Sequence, residues 1–181
     1  MQGVSLLVPE HRPDTPDRYS NLESFLWHDF DAGRSDWEEW LRRKLLTQSS
    51  ATAASSFEHA MQLRSALRSL QAANSGTRMG DELPSAYETV NRLITTYGIE
   101  PQVDGNCRVS LATNKPADPV AGLVLLALDA FECGSWRRFK LCQEPTCRAS
   151  YYDASNAAVK TWCSIQTCGS RNKMKRYRSK T

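Results

Sequence analysis

Four cysteines near the C-terminal end of the 181-residue chain have the spacing of a metal site. They form two pairs that each enclose four residues, and fifteen residues separate the pairs. Two such pairs on tight turns commonly supply four thiolates to tetrahedral Zn2+. Four thiolates complete the coordination shell and leave no position for an activated water. The spacing therefore predicts one structural zinc per chain, with Cys142, Cys147, Cys163 and Cys168 as its ligands.

Three other states of these cysteines are open: two disulfides, four unrelated thiols, or an iron–sulfur cluster. The sequence shows no export signal, and its longest apolar run, residues 120–128, is shorter than the roughly 20 residues that a membrane-spanning helix needs. We therefore expect a cytoplasmic protein without a membrane partner, and in a reducing compartment clustered thiols are more typical of metal ligands than of disulfides. An iron–sulfur cluster has less support because the spacing matches neither ferredoxin pattern.

The charge of the chain changes sign where the cysteine-containing segment begins. Residues 136–181 hold eleven lysines and arginines against two acids, whereas residues 1–135 hold twelve basic and eighteen acidic residues. Such an asymmetry is typical of a protein whose basic segment meets an anionic partner, most often nucleic acid. We predict two domains: an acidic helical body at residues 1–135 and a basic zinc module at residues 136–181.

The basic module is small and poor in aliphatic residues, so apolar burial alone cannot fold it. Zinc binding would supply the missing free energy, on the order of 10 kcal/mol. Residues 149–153 predict a short strand, and we expect Trp162 to pack over the metal. Glu144, in the first cysteine turn, is expected to be exposed, and Lys140 is expected to add to the basic surface.

The last eleven residues predict a short helix with a basic surface. They contain six lysines or arginines and no acid. In a helix these side chains occupy adjoining faces, and Met174 and Tyr177 can pack back on the module. A metal-anchored basic helix suits phosphate contacts, although a solvated basic terminus is the simpler alternative. The predicted nucleic-acid-binding residues are Arg171, Lys173, Lys175, Arg176, Arg178 and Lys180.

Periodic apolar residues predict that the body consists mainly of helices. Ser35 followed by Glu38 has the spacing of a capping box at the start of one of them. Asp118-Pro119 is expected to cap the last helix. This helix is apolar nearly all round and is therefore expected to lie at the centre of the body. The predicted helices lie near residues 21–30, 35–45, 53–73, 84–97 and 120–133.

A change to alternating polarity at residues 99–113 predicts a β-hairpin in the body. Asp104-Gly105 is a favourable sequence for a two-residue turn at its tip. Cys107 and Cys133 lie among hydrophobic residues without metal-like spacing, so we predict that both are buried thiols.

The C-terminal motif resembles the CGNR zinc finger. That finger has a C-x4-C pair, a strand that ends in Tyr/Phe-x-Asp followed by Ser, a Trp-Cys pair, and Cys-Gly-Asn-Arg leading into a basic helix. Here Ser170 replaces the motif Asn. The residues that carry the resemblance are Cys142, Cys147, Tyr151, Tyr152, Asp153, Ser155, Trp162, Cys163, Cys168, Gly169, Arg171, Lys173 and Arg176.

The helical body is similar to ABATE, the domain usually found in front of this finger. The similarity lies in a Leu-Arg-rich helix at residues 63–68 and in Trp40-Leu41 of an earlier helix. Residues 22–31 lack the Leu-Asp-x-x-Asn-Thr run that the resemblance would lead us to expect.

Together, the residue patterns and the resemblance predict a mainly α fold with a small β-hairpin, in which a helical body precedes a small treble-clef-like or ribbon-like zinc module. The resemblance implies a stress-responsive transcription regulator whose finger binds DNA, and we expect the body to sense a small molecule or a protein partner. No nucleophile–base pair, phosphate loop or His/carboxylate metal set is visible, so we expect no enzyme activity.

Two other functions stay open at the level of sequence. One is an RNA-binding module that stacks bases on Tyr151, Tyr152 and Trp162. The other is a protein-interaction adaptor whose basic tail meets an acidic partner and which binds no nucleic acid.

Overall fold

Within the described residues, the N-terminal part of the protein consists of a long central helix, four shorter helices and a β-hairpin. The computed structural model describes residues 16–44, 50–76 and 82–179. The elements of this part are α1 (Ser20–Trp27), α2 (Arg34–Lys44), α3 (Ser50–Asn74), α4 (Glu82–Thr96), β1 (Ile99–Val103), β2 (Val109–Thr113) and α5 (Pro119–Glu132). The central helix α3 contacts each of the other four helices.

The C-terminal part consists of a short hairpin and a helix. In the hairpin, β3 (Phe139–Leu141) pairs antiparallel with β4 (Ser150–Tyr152). One π-helical turn, Ile165–Gly169, then leads into α6 (Ser170–Arg178). A mainly α protein with small hairpins and a four-cysteine C-terminal module confirms the predicted fold class. The predicted division at residues 135 and 136 stays a prediction.

The apolar stripes that the sequence predicts hold the helices together. On α3, Ala60, Leu63, Leu67 and Leu70 are all buried, because spacings of three and four residues place them on one face. They form one continuous core with buried side chains of α1, α2, α4 and α5. Within the described residues, no helix is both long and apolar enough to cross a membrane.

Aromatic side chains fill the corner between α1 and α2. The rings of Trp37 and Trp40 stack with their centroids 5.5 Å apart, and Phe25 contacts both. The start of α2 differs from the predicted capping box, because the helix begins one residue before Ser35 and the carboxylate of Asp36 accepts a hydrogen bond from the Ala32 amide at 2.7 Å.

The predicted hairpin is present, but its tip is longer than a two-residue turn. Val103 pairs with Val109, so five residues connect β1 and β2. The Asp104 carboxylate accepts hydrogen bonds from the amides of Asn106 and Arg108 and thereby orders this connection.

Both isolated cysteines are exposed, so the prediction that they are buried is wrong. Cys107 lies in the connection between β1 and β2 and has a left-handed backbone conformation, with a φ of 60°. Cys133 follows the last residue of α5, where the helix leaves the core.

Polar contacts join the C-terminal hairpin to the end of α3. Gln71 donates to the Ser150 hydroxyl at 2.7 Å, and the Leu141 amide donates to the Ser75 hydroxyl at 2.8 Å. The carboxamide of Asn74 donates to the carbonyls of Trp136 and Phe139. These contacts fix the hairpin, and with it the cysteine turns, against the body.

Candidate metal centre and nucleic-acid interface

The four predicted ligands lie together at the end of the β3–β4 hairpin. All four sulfur atoms are within 4.8 Å of one another, and the Sγ atom of Cys163 lies 3.7 Å from that of Cys147 and 3.8 Å from that of Cys168. Tetrahedral zinc with Zn–S bonds of about 2.3 Å requires sulfur–sulfur separations of about 3.8 Å. These distances are far longer than the roughly 2.05 Å of a disulfide bond. The donor set therefore fits one structural zinc.

Each cysteine pair lies on a turn that its own backbone hydrogen bonds define. In the first turn, the Cys142 amide donates to the Ala149 carbonyl and the Cys147 amide donates to the Glu144 carbonyl, both at 2.9 Å. In the second, the Ser164 hydroxyl accepts a hydrogen bond from the Thr167 amide and starts the π-helical turn that carries Cys168. The last ligand is therefore continuous with α6.

Trp162 packs against the sulfur cluster, as the sequence predicts. Tyr151 is buried beside the same cluster, and its hydroxyl donates to the Lys160 carbonyl at 2.6 Å. A methyl group added at Gly169 would lie 3.3 Å from the Trp162 ring, so the glycine allows the indole to approach closely. The cysteines and these two aromatic rings form a small cluster that is separate from the core of the body.

The surroundings shift thiol pKa values in both directions within the cluster. Burial raises the pKa of Cys163 and of Cys168, and hydrogen bonds with neighbouring thiols add to this in Cys163. In Cys147, burial also raises the pKa, but hydrogen bonds from the Ala149 amide and the other thiols outweigh it and lower the pKa overall. Four thiolates at this spacing repel one another, and a bound cation removes that cost.

A buried ion pair that the sequence analysis did not anticipate orders the loop between β4 and Cys163. The Lys140 Nζ lies 2.8 Å from the Asp153 Oδ2, and both residues are buried. Asp153 also accepts hydrogen bonds from the Lys160 amide and from Ser155. Burial opposes ionisation of Asp153, but these contacts outweigh it and lower its pKa. Lys140 therefore adds no charge to the basic surface, contrary to expectation.

Glu144 is fully buried, so the expectation that it is exposed is wrong. Its carboxylate accepts hydrogen bonds from Lys175 at 2.8 Å, Asn172 at 2.5 Å and Thr146 at 3.0 Å. Lys175 contributes most to lowering the pKa of Glu144, which falls to about 2 although burial opposes the change. Glu144 therefore connects the first cysteine turn to the middle of α6.

The predicted nucleic-acid-binding residues occupy different positions on α6. Arg171, Lys173, Arg176 and Arg178 are exposed, whereas Lys175 pairs with Glu144 although its side chain is 60% exposed. Lys180 lies outside the described residues.

The prediction that Met174 and Tyr177 pack on the module is wrong, because both are exposed and Tyr177 is 71% accessible. Asn172 and Lys175 take the inward side of α6 instead. At 3.6 residues per turn, Lys173, Met174 and Tyr177 lie on the opposite side.

Sequence alone gave only weak signals for the residues that anchor α6. Glu144 and Asn172 are single polar residues near cysteines, and such residues are usually exposed. The available signal is the position of Glu144, because a charged residue inside a turn of metal ligands has little access to water once the module folds around the metal. Asp153 had the stronger signal, since it ends a strand within the Tyr-x-Asp pattern.

The fold and the four-thiolate site define a zinc-finger protein with a helical domain in front of the finger. The CGNR zinc finger model matches residues 138–181. The ABATE model, whose description is "Putative stress-induced transcription regulator", matches residues 27–133, more than half of the chain. The chain therefore belongs to the ABATE family and carries a CGNR finger, as the resemblance in the sequence implied. Among curated proteins, no match was found.

Proposed function

We propose that this protein regulates transcription by binding duplex DNA through α6 of its zinc finger. The observation that best supports the proposal is a helix with five basic residues and no acid, attached directly to a metal ligand. Basic side chains on such a helix neutralise phosphates and release counterions. In this proposal the helical body senses a small-molecule or protein effector, the chain catalyses no reaction, and it works in the cytoplasm, where thiols stay reduced.

The metal centre would contribute only by holding α6 in a fixed position. When bound, zinc supplies a closed tetrahedral link between two turns of the chain. Cys142 and Cys147 tie that link to the hairpin on α3, while Cys168 ties it to the first residues of α6. Glu144 adds a second attachment through Asn172 and Lys175. The basic helix is thereby presented in a fixed orientation.

The free charges of α6 set the expected strength of phosphate binding. Within the described part of the chain, Arg171, Lys173, Arg176 and Arg178 form no ion pair. Neutralising roughly four to six phosphates would give a slope of about −3.6 to −5.4 when the logarithm of the duplex affinity is plotted against that of the salt concentration.

A salt titration of duplex binding by fluorescence anisotropy tests the proposal. Replacing Arg171 or Arg176 by Gln should reduce the magnitude of the slope by about 0.9 each. Arg34→Gln, at an exposed position on α2, is the matched control and should leave the slope unchanged. A salt-independent affinity, or equal effects of all three substitutions, would contradict the proposal.

The aromatic rings that an RNA-binding module would use for base stacking pack against other parts of the protein. Tyr151 is buried, Trp162 packs on the sulfur cluster, and Tyr152 packs against Tyr19 and Phe139. Tyr177 is the exposed tyrosine of α6. Competition between duplex DNA and single-stranded RNA, repeated with Tyr177→Ala, separates the two functions, since loss of a stacked base costs about 1–3 kcal/mol. An adaptor would bind neither nucleic acid at moderate salt.

A further inference from the structure

A cavity of about 470 Å3 lies where α3, α4 and α5 meet the segment that leads into the zinc module. This volume lies within the range of roughly 300–1,000 Å3 that small-molecule sites occupy. Its walls are mainly apolar, with Leu70 from α3, Val90 and Ile94 from α4, and Leu128 from α5. A cavity between helices of a bundle is a usual location for a ligand site.

Aromatic and cationic groups in the lining of the cavity indicate the chemistry of its ligand. The rings of Phe131 and Trp136 form an edge-to-face pair with centroids 4.8 Å apart, and both line the cavity together with Tyr87. Arg137 also lines the cavity, and its Nε donates to the Gly134 carbonyl. Within the described residues its terminal nitrogens have no acidic partner.

We propose that this cavity binds a small aromatic carboxylate, with the ring system between the aliphatic and aromatic walls and the carboxylate on Arg137. A planar guanidinium offers paired donors that match a carboxylate, and ring faces favour edge-to-face contact with a bound aromatic group. This inference rests on the proposed function, since it specifies the effector that the helical body would sense.

The cavity is connected to the metal centre through two residues of its wall. Asn74 donates from its carboxamide to the carbonyls of Trp136 and Phe139, at 2.8 and 3.1 Å. The Trp136 ring stacks on that of Phe139, the first residue of β3, at 5.2 Å. A ligand that displaces Trp136 or Asn74 therefore acts on the strand that carries Cys142 at its end.

The test compares naphthalene-2-carboxylate with the neutral, nearly isosteric naphthalene-2-carboxamide, with binding to the full zinc-loaded chain measured by ligand-detected NMR. We expect the carboxylate to bind about tenfold more tightly than the carboxamide, because a hydrogen bond to a charged group is the stronger one. Arg137→Gln should abolish this preference and leave carboxamide binding unchanged, whereas Arg34→Gln should preserve it.

A cavity-filling substitution locates the site. Ala73→Phe, from the α3 wall, should weaken binding of both probes at least tenfold. Asn91→Trp, at an exposed position of the same lining, is a second filling variant in case Ala73→Phe does not fold. Equal binding of the acid and the amide, binding unaffected by a folded filling variant, or no binding of either probe at millimolar concentration would each overturn the proposal.

These measurements contain no nucleic acid, so they stand or fall separately from DNA binding. Ligand binding without duplex binding would sink only the proposed function, and duplex binding without ligand binding would sink only this inference. If both hold, adding the carboxylate should shift duplex affinity in the wild type and leave it unshifted in the filling variants.

Discussion

The helical body and the zinc module fold by different means. The body has a continuous core of aliphatic and aromatic side chains from all five of its described helices. The module's own core consists of cysteines with Tyr151 and Trp162. Because apolar burial grows with chain length, a segment of this size needs another source of free energy. The comparison teaches that in the module the metal replaces the hydrophobic core.

The helical body and the zinc module also differ in their buried charged residues. Lys140, Glu144 and Asp153 are buried in the module, whereas the buried polar residues among the described part of the body are uncharged: Ser56, Gln71, Ser75 and Ser135. A buried charge costs free energy unless it is paired and hydrogen-bonded. In the module these charges have partners that fix loops, so specific polar geometry does there what packing does in the body.

The largest effect is expected from loss of a zinc ligand, which should unfold the zinc module and leave the helical body folded. Cys163→Ser removes one of four ligands, and the module should lose zinc and its fold, a loss on the order of 10 kcal/mol of binding free energy. Metal analysis should fall from about one zinc per chain, and amide exchange should become fast in β3 and β4 while α3 and α5 stay protected. Cys107→Ser, at an exposed thiol outside the cluster, is the matched control. Cooperative unfolding of the whole chain would contradict the division.

A smaller but still large effect is expected from the buried ion pair. Asp153→Asn leaves the Lys140 ammonium buried without its counter-charge, which typically costs about 3–5 kcal/mol. Because folding and metal binding are coupled in the module, zinc affinity in a chelator competition should fall by a factor of about 100 or more. Adding Lys140→Met should restore part of the affinity. An unchanged zinc affinity in Asp153→Asn would show that the ion pair does not stabilise the loop between β4 and Cys163.

The corresponding substitution in the body should act through packing alone. Leu67→Ala removes a fully buried side chain of α3 and should lower the free energy of unfolding by about 2–5 kcal/mol, whereas Leu67→Met, which conserves volume, should cost less than about 1.5 kcal/mol. Denaturant unfolding followed by circular dichroism measures both. Zinc affinity should be nearly unchanged, and a large parallel fall in zinc affinity would mean that the parts are strongly coupled.

The smallest effect concerns the contact between the cysteine turn and α6. Glu144→Gln removes the charge that neutralises Lys175 and keeps a side chain of the same shape. If Lys175 then reaches a phosphate, the slope of duplex affinity against salt should become steeper by about 0.9. An unchanged slope, with zinc still bound, would show that Lys175 takes no part in the interface even when released.

Sequence reasoning succeeded where one residue type and its spacing determine the structure. The four cysteines, the α3 stripe and the cap of α5 are such cases, and the Asp118 carboxylate accepts the Val120 amide hydrogen bond that the Asp-Pro sequence predicts. Each depends on local geometry or on a ligand set that the metal itself demands.

The failures are cases in which tertiary context overrides a local pattern. Glu144 looks like an exposed turn residue, yet α6 folds over it because Lys175 and Asn172 come within hydrogen-bonding distance. The strand β3 is too short, at three residues, to show alternation, and it forms because α3 and β4 both bind it. Lys140 of this strand is buried because of the same tertiary contacts.

The continuity between Cys168 and α6 has a consequence for the angular phase of the helix. Each residue of an α-helix advances the side-chain direction by about 100°. Because the metal ligand and the helix share one uninterrupted turn, the zinc sets the rotation of α6 about its own axis as well as its position. A one-residue insertion between Cys168 and Arg171 would keep every ligand and every positive charge. It would nevertheless rotate Lys173 and Tyr177 by about 100° relative to Glu144 and present a different side of the helix to any partner.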